Sequence, residues 1–188
     1  MIKEIIDSIH PISLKSLEEI KSIIQIEEYP KGETFIEKNK RNNKEYFLLE
    51  GICKSFLISP EGEEITISFF TDNSVLSPYT TRTKNGLSSI NFRSLTDIKL
   101  ASIKASEFEQ LMIDNIEIRN FGNAVLRNEL QLKVEKESGL ASLTAKERLV
   151  KFREKFPLLE NMVPHTDIAT YLGITNISLS RLRKDLIR

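Results

Sequence analysis

The sequence predicts an α+β fold in which an N-terminal antiparallel β-roll is followed by a long helix and a small all-α segment. Residues 29–104 alternate short apolar runs with turn residues, as the strands of an antiparallel sandwich or roll do. From Ile116 to Glu137, apolar residues recur at helical spacing. Residues 164–188 carry two short helical patterns on either side of Gly173. These three observations divide the chain into a strand-rich part and a helical part.

The composition is that of a globular protein without a membrane span. Hydrophobic residues make up 40% and charged residues 29% of the 188 positions. No run approaches the roughly 18 apolar residues that a membrane helix needs. The N-terminus alternates charged and apolar residues and lacks the apolar core of a signal peptide. We therefore expect a cytoplasmic protein with no membrane partner.

The net charge of zero hides an asymmetry between the two parts of the chain. From Thr144 onward, nine Lys and Arg residues stand against five Asp and Glu residues, which leaves about +4 there and about −4 in the remainder. Such a difference is typical of a nucleic-acid-binding module joined to a separate partner domain.

The cysteine and histidine content excludes several kinds of site. Cys53 is the only cysteine, which excludes an intramolecular disulfide and a four-cysteine iron–sulfur centre. His10 and His165 lie far apart in the sequence and form no recognisable zinc or haem pattern. We expect neither a metal nor a cofactor.

The N-terminal part begins with two helices and continues into strands. Residues 2–28 have apolar residues at helical spacing, divided by Pro11. Residues 30–33 and 59–62 are turns, because proline presets φ and glycine accepts a left-handed conformation. Alternation with polar residues then predicts a strand with one buried face. The residues of that face are Ile65, Ile67 and Phe69.

The long helix follows a shorter one that Ser106 would cap. We expect the long helix to begin at Ile116 and to end at Gly139, with residues 140–143 as a hinge. Its apolar stripe must be buried, either against its own roll or against a second copy of the chain. The stripe consists of Ile118, Phe121, Val125 and Leu132, widened by Leu126, Leu130 and Val134.

The C-terminal segment has the pattern of two helices joined by a tight turn. Thr144 and Glu147 form a capping box that opens an earlier helix, which Pro157 ends. Gly173 provides the turn and Thr175 caps the next helix. An ordinary helical hairpin would show the same spacing, but a polar, cationic outer face is what a reader of the major groove requires. That helix has Leu179, Leu182 and Leu186 on one face and Asn176, Ser178, Arg181, Lys184 and Arg188 on the other.

The stretch IATYLGITNISLSRLRK resembles the helix-turn-helix of Crp/Fnr-type transcription regulators. Residues 29–70, YPKGETFIEKNKRNNKEYFLLEGICKSFLISPEGEEITISFF, resemble the front half of the cyclic-nucleotide-binding β-roll of the same family. The resemblance implies a sensor domain at 1–112, a dimerisation helix at 113–139 and a DNA-binding domain at 140–188. It also implies double-stranded DNA, a second copy of the chain and RNA polymerase as partners. The dimer interface that it implies consists of Ile118, Phe121, Val125 and Leu132.

The stretch where this family binds the phosphate of a cyclic nucleotide departs from the family pattern. The glycine–glutamate pair that opens the family's cassette is missing, and Ser88 and Ser89 stand about where its arginine is expected. We therefore expect no binding of cyclic AMP. The effector is unidentified, and the candidates for its pocket are Arg82, Ser88 and Ser89.

The helix-turn-helix departs from the family as well. Alignment on Gly173 places Asn176 and Ile177 where readers of the cyclic-AMP-receptor type carry arginine and glutamate. Arg181 matches their third base-reading residue. We predict that Asn176, Ser178 and Arg181 contact base edges. The predicted phosphate contacts are His165, Thr166, Lys184 and Arg188.

Two other functions are compatible with parts of the pattern. A β-roll could serve as a ligand-binding or protein-interaction module that does not bind DNA, which a salt-dependent DNA titration would decide. An enzyme of the metal-dependent cupin kind needs clustered histidines or carboxylates, and no histidine lies within residues 29–104. We expect a DNA-binding transcription regulator and not an enzyme.

Overall fold

The computed structural model describes residues 1–187, in which helices flank and follow a set of short strands. The helices are α1 (Ile2–Ile9), α2 (Leu14–Ser22), α3 (Ala105–Asp114), α4 (Ile116–Ser142), α5 (Ala145–Lys155), α6 (His165–Tyr171) and α7 (Asn176–Ile187). The strands are β1 (Gln25–Tyr29), β2 (Thr34–Ile36), β3 (Lys44–Glu50), β4 (Cys53–Ile58), β5 (Glu64–Phe70), β6 (Ser74–Leu76), β7 (Asn91–Ser94) and β8 (Ile98–Lys104). Short 3₁₀ turns lie at Pro78–Thr81 and Leu159–Asn161.

The strands form two four-stranded sheets with a shared core. The first sheet has the order β1-β8-β3-β6 and the second has the order β2-β7-β4-β5. Pairing in the first sheet is antiparallel, with Phe47 of β3 opposite Ala101 of β8 and Val75 of β6. Side chains of both sheets, among them Leu48 and Phe92, meet in one apolar cluster. The predicted α+β class and its antiparallel roll are confirmed.

By their internal contacts, the residues divide into two units. The first unit comprises Met1–Ser55 and Phe69–Leu130, and the second joins Phe56–Ser68 to the chain from Gln131 onward. The first unit therefore holds most of the roll, helices α1 to α3 and the first half of α4. The second holds the tip of the β4–β5 hairpin, the second half of α4 and helices α5 to α7.

Strand β5 departs from the predicted alternation. We predicted Ile65, Ile67 and Phe69 on the buried face. Phe69 is buried, but Ile65 and Ile67 are only half-buried and Thr66 is buried instead. Within the second unit, the Thr66 backbone N–H donates to Oγ1 of Thr170 in α6 at 3.1 Å. The prediction was wrong because a helix covers the start of this strand, which strand periodicity cannot show.

Helix α4 is longer than predicted. It continues through Gly139 to Ser142, although we expected Gly139 to end it and residues 140–143 to form a hinge. The Leu143 N–H donates to the Gly139 carbonyl at 3.0 Å, so the helical hydrogen bonds pass the glycine. A glycine inside a helix destabilises it by only about 0.5–1 kcal/mol. The predicted cap of α3 was also wrong, because its N-cap residue is Lys104 and not Ser106.

One face of α4 is part of the core of the first unit. Ile118 and Phe121 are 0% and 1% exposed, and with Val125 they belong to one apolar cluster with residues of α1, α2, β3 and β8. We predicted these three residues at a dimer interface. That assignment was wrong, because a side chain buried within one chain has almost no surface left to bury against a second. Leu132, the fourth predicted interface residue, is 43% exposed, and its place at a dimer interface stays a prediction.

Candidate nucleic-acid interface

Helices α6 and α7 form a two-helix unit around the turn at Gly173. Gly173 has φ +66°, a left-handed conformation that glycine adopts without strain. The Ile174 N–H donates to the Ala169 carbonyl at 3.0 Å, which closes the end of α6. Thr175 Oγ1 accepts the Ser178 N–H at 3.1 Å and caps α7. The predicted turn and cap are confirmed.

The inner faces of both helices are buried. Ile168, Leu172 and Leu179 are at most 3% exposed, and the rings of Phe152 in α5 and Tyr171 in α6 lie 5.7 Å apart. Each buried aliphatic side chain contributes about 1.5–3 kcal/mol. The apolar spacing seen in the sequence therefore corresponds to a packed inner surface, which leaves the outer surface of α7 in solvent.

Arg148 joins the start of α5 to the end of α6. Its Nε donates to the Leu172 carbonyl at 2.9 Å, and its Nη1 donates to the Leu143 carbonyl at 2.7 Å. Carbonyl groups at a helix end have no partner within the helix. One guanidinium thus bonds the carbonyl groups that directly follow α4 and α6, and it holds α6 against α5. The sequence alone gave no sign of these contacts.

Glu160 joins α5 to α7 through two arginines. Its carboxylate accepts hydrogen bonds from Arg153 Nε at 2.7 Å and from Arg153 Nη2 at 3.1 Å, and Arg183 Nε lies 2.7 Å from Oε1. Arg183 Nη1 in turn lies 2.7 Å from Nε2 of His165 at the start of α6. The hydrogen bonds from Arg153 hold the pKa of Glu160 below its ordinary value. Sequence reasoning missed this network because its members come from separate elements.

The outer face of α7 carries exposed polar and cationic side chains. Asn176, Arg181 and Lys184 are exposed, and their contacts with DNA stay predictions. Within the described residues, Arg181 forms no ion pair with Asp185, so its guanidinium is not held on its own helix. Ile177 is 67% exposed and was not among the predicted base readers. An apolar side chain on such a face can contact the methyl group of thymine.

The remaining predicted contacts differ in how free their side chains are. Ser178 is half-buried, and its hydroxyl lies 2.9 Å from Thr175 Oγ1, so it takes part in the cap. His165 is exposed but bonded to the guanidinium described above, and Thr166 is exposed in the first turn of α6. Arg188 lies outside the described residues. Asn176, Arg181 and Lys184 are therefore the exposed side chains at the centre of the candidate interface.

The groups expected at an effector pocket bond to strand β3 or to their own loop. Arg82 Nη2 donates to Glu45 Oε1 at 2.7 Å and to the Lys44 carbonyl at 2.9 Å. The hydroxyls of Ser88 and Ser89 each donate to a backbone carbonyl at 2.7 Å. Arg82 and Ser88 do meet, through an antiparallel bridge, but the arginine is already paired with a carboxylate. Their assignment to an effector pocket stays a prediction.

Two further features of the described part of the chain bear on its chemistry. No helix there is both long and apolar enough to cross a membrane. No three His, Cys, Asp or Glu side chains come together there as a metal site would require.

Comparison with known proteins gives the chain a family context. Residues 26–115 match the cyclic nucleotide-binding domain family. The chain is 23% identical over 178 residues to the global nitrogen regulator of Synechococcus elongatus, covering 87% of this chain and 79% of that protein. Its fold is similar to that of FixK2 from Bradyrhizobium japonicum, with a TM-score of 0.75, 19% identity and coverage of 87% and 84% of the two chains. A Crp/Fnr-family transcriptional regulator from Eubacterium rectale gives a TM-score of 0.72 at 16% identity, with coverage of 92% and 82%.

Replacement of Glu160 by glutamine tests whether its carboxylate holds α5 and α7 together. Because hydrogen bonds to charged groups are worth about 1.5–3 kcal/mol, we expect Glu160→Gln to lower the free energy of unfolding at pH 7 by about 1–2 kcal/mol. The folded-state pKa of Glu160 is lowered, so this contribution is present above the ordinary glutamate pKa of about 4.3. The difference from wild type should disappear as the pH falls through the lower folded-state value.

Urea unfolding at pH 7, 4 and 3 measures this difference. The matched control is Glu154→Gln, which removes an exposed carboxylate from α5 and should leave stability within about 0.5 kcal/mol of wild type. Equal stability of Glu160→Gln and Glu154→Gln at pH 7 would contradict the role given to the network.

Proposed function

We propose that this chain is a DNA-binding transcription regulator that acts as a homodimer. Its residues 26–115 match the cyclic nucleotide-binding domain family, and its fold is similar to those of FixK2 and a Crp/Fnr-family regulator. Its proposed partners are double-stranded DNA, a second copy of the chain and RNA polymerase. The proposal assigns it no enzymatic activity. Regulators among its sequence relatives support this function.

The observation that carries the proposal is the exposed outer face of α7 on a helix whose inner face is packed. Asn176 and Arg181 project from this face and are five residues apart, which is somewhat more than one helical turn. Lys184 follows nearer the C-terminus of α7. Amide and guanidinium groups on such a helix match the donor and acceptor pattern of bases in the major groove. The excess of cations from Thr144 onward would add the attraction to phosphate that binding to DNA requires.

Cyclic AMP is not proposed as the effector. The cassette arginine and glutamate of the family are missing, and Arg82, the arginine in this loop, is 12% exposed and bonded to Glu45. A cyclic phosphate would have to displace that carboxylate or remain without its charge-assisted hydrogen bonds, each worth about 1.5–3 kcal/mol.

The proposed dimer uses the outward face of α4. Leu130 and Val134 are 64% and 52% exposed, and because they are four residues apart they share one face of the helix. Leu130 lies away from Val125, which is buried in the core of the first unit. Glu137 and Ala141 follow Val134 on this face at the spacings of three and four found in the seam of a two-stranded coiled coil, and Ala141 is apolar.

A charge in the middle of this seam should separate the copies. Leu130→Asp would place two carboxylates opposite each other at a twofold axis and remove two apolar side chains, each contributing about 1.5–3 kcal/mol. Light scattering at micromolar concentration should give twice the chain mass of 21.6 kDa for wild type and the single mass for the variant. Ile113→Asp, an equally exposed position on α3, is the control and should stay dimeric. A monomeric wild type, or a dimeric Leu130→Asp, would refute this interface.

Two α7 substitutions test the reading of DNA. Arg181→Ala should relax the choice at one symmetric pair of operator positions, because an arginine fork on guanine discriminates by about 1–3 kcal/mol. Lys184→Ala should weaken binding to all sequences alike. It should also reduce the slope of the log binding constant against log salt concentration by about one, because one phosphate contact is lost. Binding-site selection followed by titration at several salt concentrations measures both effects.

Lys15→Ala supplies the matched control, because it removes an exposed cation from α2 and should change neither the preference nor the slope. If wild type selects no sequence, or Arg181→Ala keeps the wild-type preference at every position, the proposed base reading is incorrect.

A further inference from the structure

A cavity of about 300 Å³ lies in the first unit, between the first sheet and helices α3 and α4. Small-molecule sites in proteins are typically about 300–1,000 Å³ in volume, with mostly apolar walls and a few polar groups. This cavity is at the lower end of that range, and its walls are mainly apolar. The side chains that shape it are Phe47, Val75, Ile103, Phe108, Met112 and Phe121.

The cavity lies on the outer side of the sheet and not inside the roll. Successive residues of a strand point to opposite faces of a sheet. Phe47 belongs to the outer apolar cluster with α1, α2 and α4, whereas Leu48 belongs to the cluster between the two sheets. Side chains pack the interior of the roll, where the rings of Tyr29 and Phe35 stack at 5.2 Å. The cavity is therefore separate from the interior of the roll.

A largely buried carboxylate forms part of the cavity wall. Glu45 is 13% exposed, accepts a hydrogen bond from Arg82 Nη2 at 2.7 Å and accepts another from Ser77 Oγ at 3.1 Å. Burial raises the pKa of Glu45, and Arg82 opposes that shift. Because the arginine is already neutralised, the wall offers no free cation to an anionic ligand. The carboxylate oxygens can still accept a hydrogen bond from a ligand donor.

The helical wall of the cavity can adapt to its contents. Met112 of α3 lies against Gly122 of α4, where a Cβ would come within 2.8 Å of Met112 Cε. Glycine thus allows the methionine to lie between the two helices. Methionine has three rotatable bonds and fills irregular space, so a flexible side chain controls the volume available between α3 and α4.

A side chain from a second copy is the rival occupant of the cavity. Asn123 and Leu126 of α4 also line it, and they precede the proposed dimer seam. The exposed apolar residues of that seam, Leu130 and Val134, lie one and two turns beyond Leu126 and are not part of the lining. Pairing centred on them buries its apolar area away from the cavity, which favours a small molecule.

We propose that this cavity is a binding site for an uncharged, mostly apolar small molecule that carries a hydrogen-bond donor. The apolar walls bury the ligand. Glu45 accepts the hydrogen bond from its donor and selects against negatively charged ligands. The site is formed within the first unit alone and does not depend on whether the chain binds DNA.

The probe for this site is N-phenyl-1-naphthylamine, an uncharged apolar fluorophore with one N–H donor. Titration into the full chain should give a saturable rise in fluorescence, one probe per chain, with a dissociation constant on the order of micromolar. Two substitutions fill the cavity from different walls, Ala105→Leu at the start of α3 and Val75→Phe on β6. Each should weaken binding by about tenfold or more, while circular dichroism confirms that the variant is folded.

The matched control is Ala145→Leu, the same change at the first residue of α5, which is not part of the cavity lining; it should bind as wild type does. The sulfonate analogue 8-anilino-1-naphthalenesulfonate has the same rings with a negative charge and should bind this site about tenfold more weakly. No saturable binding, or unchanged binding in both filling variants, would refute the site. Equal binding of the sulfonate would refute the stated ligand class. Tighter binding to the Leu130→Asp monomer than to the dimer would show that a second copy occupies the cavity.

Discussion

Burial of one face of α4 against the first sheet is the interaction on which the other features of the chain depend. Ile118 and Phe121 have almost no exposed surface, and loss of such a phenylalanine from a core costs about 3–5 kcal/mol. Because this face fixes the rotation of the helix within the first unit, Leu130 points outward. The same packing sets the wall of the cavity at Gly122. The proposed dimer surface and ligand site therefore have one physical origin.

In the second unit, polar contacts complete what apolar packing begins. Leu179 and its neighbours bury the inner faces of α6 and α7, but aliphatic contacts alone permit some sliding of one helix on another. Arg148 and Glu160 each bond to two separate elements at defined distances. These bonds restrict that sliding. Those of Glu160 occupy the guanidinium groups of Arg153 and Arg183. Arg181 and Lys184 stay exposed on the outer face.

The sequence predicts the elements whose causes are local. The capping box at Thr144, the turn at Gly173 and the cap at Thr175 depend on residues within a few positions of one another, and all three are present. The choice of partner for an apolar face is not local. The stripe of α4 was visible, but only tertiary packing shows that Phe121 faces its own sheet. For the same reason the Glu160 network and the burial of Thr66 could not be predicted.

Protection of an operator from hydroxyl radicals tests the central claim most directly. If two copies pair through α4 and each places α7 in the major groove, a selected operator should show two protected patches on one face of the duplex, about 10 base pairs apart and symmetric about their midpoint. The protection should survive at physiological salt, where binding that depends only on phosphate weakens steeply. A single protected patch, or uniform protection that physiological salt abolishes, would contradict the account.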